Sequence, residues 1–173
     1  MEIRIVENIE VEGAYDEVVQ GTEIIIHVAS PLPSPTTADN EQGLLLPARN
    51  GVINMLKSAS EAPSVKRIVA TSSSVSVVDK TVPTTQPYYF LSSDESDDRR
   101  VWTEEDWSEV TWEDGIKGDP STAYRASKKY AEKAAWEFME KEKPQFNLIT
   151  LCAPGVFGYF PSLPSIPLSR RNG

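Results

Sequence analysis

The sequence predicts an α/β fold built on a parallel sheet. Three observations carry this: three apolar runs of strand length, two helical periodicities separating them, and the strict order strand, helix, strand, helix, strand. That order gives right-handed βαβ crossovers and a sheet covered on both sides. With 173 residues and 39% apolar content, the chain is long enough for one globular domain and too short for two large ones.

Ile3 to Val6 reads as a short β-like piece, and Gly13 to Val19 as a brief helical turn before Gly21. Glu23 to Ala29 is a continuous β-branched run, the pattern of a strand buried on both faces, and Ser30-Pro31-Leu32-Pro33 ends it. Gly43 to Ala59 carries Leu44, Leu45, Ala48, Val52, Met55 and Leu56 near helical spacing, with Gly51 as a weak point. Val65 to Thr71 is the second buried strand and Phe146 to Cys152 the third. Between them, Asp119-Pro120 opens a long helix over Ser121 to Glu140, whose apolar face includes Ala123, Ala126, Tyr130, Ala131, Ala134, Ala135 and Phe138. Residues 79–119 interrupt the pattern, and the acidic stretch Asp94-Glu95-Ser96-Asp97-Asp98 within them reads as a solvated loop rather than a cation site. The division is therefore 1–160 as the folded domain and 161–173 as a disordered tail.

A net charge of −9 repels phosphate backbones and anionic membranes, which excludes nucleic acid and lipid as partners. The single cysteine, Cys152, lies in an apolar run where a thiol behaves as a small hydrophobe, and it points to reducing cytoplasm. The first residues have no signal-peptide pattern, and no stretch approaches the roughly 20 apolar residues that span a bilayer. His27, the only histidine, reads as a core residue, and no metal site is expected. Trp102, Trp107 and Trp112 read as anchors of a loop to the surface, and Trp136 and Phe138 as helix packing.

Ligands of open parallel sheets bind beyond the carboxyl ends of the strands. Val28-Ala29-Ser30-Pro31, Ser72-Ser73-Ser74 and Ala153-Pro154-Gly155-Val156 occupy those ends. Tyr124 and Lys128, four apart, share one helix face. A free tyrosine ionises near ~10, and an ammonium within a few ångströms favours the phenolate. Tyr124 then suits proton transfer to a carbonyl oxygen receiving hydride, Ser73 orients that oxygen, and Lys128 also reaches toward dinucleotide ribose.

These segments resemble an extended short-chain dehydrogenase/reductase of the epimerase/dehydratase superfamily, and more narrowly the fungal carbonyl reductases related to plant dihydroflavonol reductases. Ile26 to Pro31, Val65 to Ser74, Thr111-Trp112-Glu113-Asp114 and Ala123 to Phe138 carry the resemblance, which covers roughly Val6 to Gly158. It implies a partial Rossmann-type parallel sheet with flanking helices, with Ser73, Tyr124 and Lys128 as the catalytic group. Ser73 is preferred to Ser72 and Ser74 because the family's active serine is the second after the threonine. It further implies that Val28, Ala29, Pro154 and Val156 lie along the cofactor, and that Asn8 and Ile9 match a pair at the adenine. The implied cofactor is NADP, with NAD the alternative, and the substrate is a small aldehyde or ketone. A sugar-nucleotide epimerase or dehydratase is a lower-ranked version within the same family.

The family opens on a strand, a Gly-x-x-Gly-x-x-Gly turn and a helix that cradle the cofactor pyrophosphate. No such glycine pattern occurs in this sequence. The expected architecture therefore lacks the first strands and the C-terminal substrate domain, about half of a complete enzyme. Two consequences follow: a weakened cofactor hold, which makes a catalytically silent fragment the alternative to an active reductase, and an exposed sheet edge that invites self-association.

Overall fold

The computed structural model describes residues 2–34, 37–78 and 102–156. The acidic stretch at 94–98 and the tail expected at 161–173, with the boundary at 160, lie outside the described residues. Six elements form the frame: β1 (Ile24–His27), α1 (Leu46–Ser60), β2 (Arg67–Thr71), α2 (Trp112–Lys117), α3 (Pro120–Glu142) and β3 (Asn147–Leu151). Among the described residues the sheet has the order β1-β2-β3, all parallel, with Ile26 opposite Val69 and Val69 opposite Ile149.

A π-helical turn over Glu41–Leu45 leads directly into α1, so the helix begins two residues before the expected Gly43. Pro47 has no N–H to give the preceding turn and its ring crowds that turn's carbonyl, and the wider winding just before it relieves both problems. Gly51 is a point of close approach: a Cβ there would lie 2.7 Å from Ile9 Cδ1. The N-terminal segment lies along α1 through that contact. The Asn54 amide donates to the Ile9 carbonyl at 3.0 Å, and Ser58 Oγ donates to Asp16 at 2.6 Å. Tyr15 and Val19 thereby enter the core with Val52, Met55, Leu56, Ile68, Leu148 and Ala135.

Several sequence expectations are corrected. Ile3 to Val6 is not a strand; Ile3 and Ile5 are exposed, and among the described residues no strand pairs with them. Residues 13–19 form the brief turn expected, with Ala14, Asp16 and Val18 amides each reaching back three residues and the Val19 amide reaching Tyr15 O, four back, at 3.1 Å. Residues 112–117, expected as loop, form α2. The Thr111 hydroxyl accepts from the Asp114 amide, and the Asp114 carboxylate accepts from the Thr111 amide, closing a capping box.

The largest correction concerns the sheet. Ile25, His27, Ile68, Ala70 and Leu148 face α1 and α3, whereas Ile24, Ile26, Ile149 and Leu151 are exposed on the opposite face. β1 is therefore not buried on both faces. The cause is topological: strands added consecutively in one direction by right-handed crossovers place both crossover helices on the same side. No helix among the described residues is long and apolar enough to cross a membrane.

Candidate functional site

α3 is the element that presents the expected chemistry. Asp119 caps it, accepting from the Thr122 amide at 2.8 Å, and Pro120 opens its first turn, so Tyr124 enters on the second turn with Lys128 one turn later. Lys128 Nζ lies 5.9 Å from the centre of the Tyr124 ring and donates to the Thr71 carbonyl at 3.5 Å. The ammonium thus sits where β2 ends, as the strand-end argument requires. Burial lowers the Lys128 pKa, and the charge of Glu132 opposes that fall.

A cleft beneath the strand ends is lined by His27, Ala29, Ser30, Thr71, Ser72, Lys128 and Glu132. Of the expected cofactor residues, Ala29 and Lys128 line it; Val28, Pro154 and Val156 are exposed near the strand ends, with Val156 86% accessible. The segment after β3 runs beside the serines: Ser72 N donates to Leu151 O at 2.9 Å and Ser74 N to Ala153 O at 3.0 Å. Asn8 and Ile9 stand apart from this group, on the α1 side. The Asn8 carboxamide oxygen accepts from the Glu10 amide at 2.9 Å, and the Ile9 side chain covers Gly51.

Ser73 is buried and caps a 3-10 turn over Ser74–Ser76, its hydroxyl oxygen accepting from the Val75 amide at 3.5 Å. Its proton remains to donate. Around it lies a network that the sequence reading missed. Glu132 accepts from Ser72 Oγ and, at 2.8 Å, from Ser76 Oγ, and Cys152 Sγ stands 3.7 Å from both carboxylate oxygens. The signal was available in the spacing: Glu132 follows Lys128 by four, an acid on a stripe otherwise continued by Ala131 and Ala135. Cys152 is partly buried, and desolvation, with Glu132 beside it, raises its pKa.

His27 is buried against Tyr15, the rings 6.0 Å apart and edge to face. Desolvation, followed by the nearby Lys128 charge, lowers its pKa to about 4. The tryptophan reading is met by Trp112 in a form the sequence did not suggest. As the first residue of α2 it donates from Nε1 to Glu41 at 2.8 Å, stacks edge-on against Tyr130, and its amide donates to Tyr130 Oη at 3.0 Å. Lys133 lies 5.2 Å from the Trp107 ring centre. Trp136 is exposed rather than packed within the helix face.

Lys128 meets the Tyr124 ring and the Thr71 carbonyl at the end of β2, and the segment after β3 runs beside Ser72 and Ser74; the cleft is lined by Lys128 but by neither Tyr124 nor Ser73. Among the described residues no glycine-rich turn faces a crevice where a pyrophosphate would lie.

The chain is 39% identical over 158 residues to a ketoreductase of Aspergillus niger, covering 89% of this chain and 41% of that one. It is 38% identical over 164 residues to the NADPH-dependent methylglyoxal reductase of Saccharomyces cerevisiae, covering 90% and 44%. The crystal structure of yeast methylglyoxal/isovaleraldehyde reductase complexed with NADPH superposes with a TM-score of 0.75 at 37% identity, covering 90% of this chain and 44% of that one. The chain thus spans less than half the length of each. The NAD-binding family described as male sterility protein matches residues 11–151. The fold, the strand-end crevice and this match agree, and the chain belongs to that family, among the extended short-chain dehydrogenases/reductases with an NAD-binding domain of epimerase/dehydratase type.

Proposed function

We propose that the chain carries the catalytic group of an NADPH-dependent reductase that converts a small aldehyde or ketone to an alcohol. The observation that carries this reading is the Tyr124–Lys128 pair at the end of β2, with Lys128 Nζ 5.9 Å from the Tyr124 ring centre and 3.5 Å from the Thr71 carbonyl. Bound NADPH, or NADH as the alternative, supplies the hydride. Tyr124 donates the proton to the carbonyl oxygen, Ser73 donates a hydrogen bond to the same oxygen, and Lys128 holds ribose hydroxyls. Val28, Ala29, Pro154 and Val156 line the nicotinamide end, within a partial NAD(P)-binding domain over 1–160. Asn8 and Ile9 serve the adenine end, where the Asn8 carboxamide oxygen already accepts from the Glu10 amide. The reduced single thiol and acidic charge fit a cytoplasmic setting, and the uncovered sheet face fits self-association.

A second reading, a catalytically silent fragment, is favoured by one observation: the sequence contains no glycine-rich turn to hold a pyrophosphate. Calorimetry with NADPH, followed by NADPH oxidation with isovaleraldehyde or methylglyoxal, separates the two. The reductase reading expects saturable binding and a turnover that falls by about 10²–10⁴ in Tyr124→Phe. Absence of binding at millimolar NADPH leaves the silent reading.

A further inference from the structure

Among the described residues Glu132 is the one buried carboxylate. It lies one turn beyond Lys128 and two beyond Tyr124 on the same stripe of α3. Burying an acid is costly, and an aliphatic side chain would pack α3 on the sheet without that cost. What the acid adds is specific. Glu132 accepts from Ser72, the residue before Ser73, and from Ser76, the last residue of the turn that Ser73 caps. Ser76 in turn reaches the Ser73 carbonyl with its amide at 2.9 Å, and its single hydroxyl proton is shared between Glu132 and that carbonyl, 2.7 Å away. The backbone on both sides of Ser73 is therefore tied to the helix that bears Tyr124 and Lys128. Ser76 is fully buried, so this tie is sheltered from water.

The same carboxylate stands one helical turn from Lys128 and lines the same cleft. The titratable groups that face Lys128 are Tyr124 and Glu132 on α3 and His27 on β1, and β2 contributes the Thr71 carbonyl. Glu132 is the negative charge in that set.

We propose that Glu132 is the positioning residue of the Ser73, Tyr124 and Lys128 group: it clamps the Ser72–Ser76 turn against α3 and steadies the positive charge of Lys128. This rests on the reductase reading for the roles of those three residues, while the clamp and the charge coupling are properties of the folded chain. Glu132→Gln keeps the shape and an acceptor but removes the charge, and Ser72→Ala removes one tie without touching any charge.

Two measurements on the full 173-residue chain test the proposal without relying on turnover. With lysines carrying ¹³C-methyl groups, and the Lys128 signal identified by its loss in Lys128→Arg, the Lys128 titration moves down by about one pH unit in Glu132→Gln, a tenfold loss of proton affinity. It returns most of the way in Glu132→Asp. Hydrogen exchange of the Ser76 amide quickens about tenfold in Ser72→Ala, equivalent to loss of one hydrogen bond of about 1.4 kcal/mol. A Lys128 titration unmoved in folded Glu132→Gln, or Ser76 exchange unchanged in Ser72→Ala, overturns the proposal. Should Glu132→Gln not fold, the Ser72→Ala exchange and the Glu132→Asp titration decide it.

Turnover adds a third reading. Glu132→Gln lowers kcat about tenfold with KM within about twofold, the pattern of a misplaced catalytic group. A wild-type chain without turnover defeats the reductase reading alone, because the titration and the exchange still report on Glu132.

Discussion

The imidazole of His27 ends β1 on the helix-covered face, buried against Tyr15 and within the field of Lys128. Burial and then that ammonium take its pKa from the ordinary 6.5 to about 4. In the unfolded chain the ring binds its proton more readily, so stability falls as the pH drops from about 6.5 and levels off below about 4, where both states are protonated. The shift corresponds to a few kcal/mol at most. Exposed pairs such as Glu12 with Lys57 and Glu23 with Lys66 also weaken in acid, so the comparison is with His27→Leu. Urea unfolding across pH 4–7 is expected to give a shallower slope in that variant, and identical slopes would refute the assignment. At this scale the sequence was most informative where chemistry has a fixed spacing, as for Tyr124 and Lys128, and where an apolar run forces burial, as for His27. Glu132 escaped notice because a helical acid ordinarily faces water; its partners, Ser72 and Ser76, are some sixty residues earlier in the chain and meet it only in the fold.

At the scale of elements, α2 shows how a helix too short for periodicity is fixed by its ends and neighbours. Six residues give no apolar repeat, which is why residues 79–119 read as an interruption of the pattern, although Thr111 and Asp114 already spelled a capping box. Asn40 closes the other end, its amide reaching the carbonyls of Gly115, Ile116 and Gly118 at 3.0–3.2 Å, a contact across some seventy-five residues that no local pattern discloses. Gly115 itself is demanded by packing: a Cβ there would lie 2.5 Å from Ala126 Cβ and 2.9 Å from Leu45 Cδ2. Gly115→Ala gains helix propensity of about 1 kcal/mol but must push α2 away from α3, an overpacking cost of about 1–3 kcal/mol. Net destabilisation near ~1 kcal/mol is expected in urea unfolding, with amide protection lost first in α2. Gly51→Ala is the contrast, since its Cβ would meet only the flexible end of Ile9, 2.7 Å away, and that side chain can rotate aside. A Gly115→Ala variant as stable as Gly51→Ala would show that α2 is not tightly seated.

At the scale of the molecule the governing fact is that, among the described residues, the sheet has one covered face. The sequence placed the three strands of the sheet within two residues at each end, because an apolar run between turn residues has few alternatives, whereas the expected β-like piece over Ile3 to Val6 is not a strand. It misjudged their surroundings because Ile24 and Ile26 in β1, like Ile149 and Leu151 in β3, are apolar in the manner of strands covered twice, whereas both crossover helices lie on the other side. Register places Ile26, Val69 and Ile149 in one row, with Leu151 following on the same face. Ile26 is 70% exposed and Leu151 51%, so water meets a contiguous apolar strip of the kind that soluble chains cover by association. Sedimentation velocity at tens of micromolar is expected to show a species larger than a monomer. Ile26→Lys with Leu151→Lys is expected to return it to monomer, because two ammonium groups in adjacent rows cannot be buried against an apolar surface without partners. The test discriminates between face and edge: pairing through the free edge of β1 would use backbone groups, and neither substitution removes those. An association that survives the double substitution would therefore move the contact from the sheet face to the β1 edge, while a wild-type chain that stays monomeric up to about 100 µM would refute both.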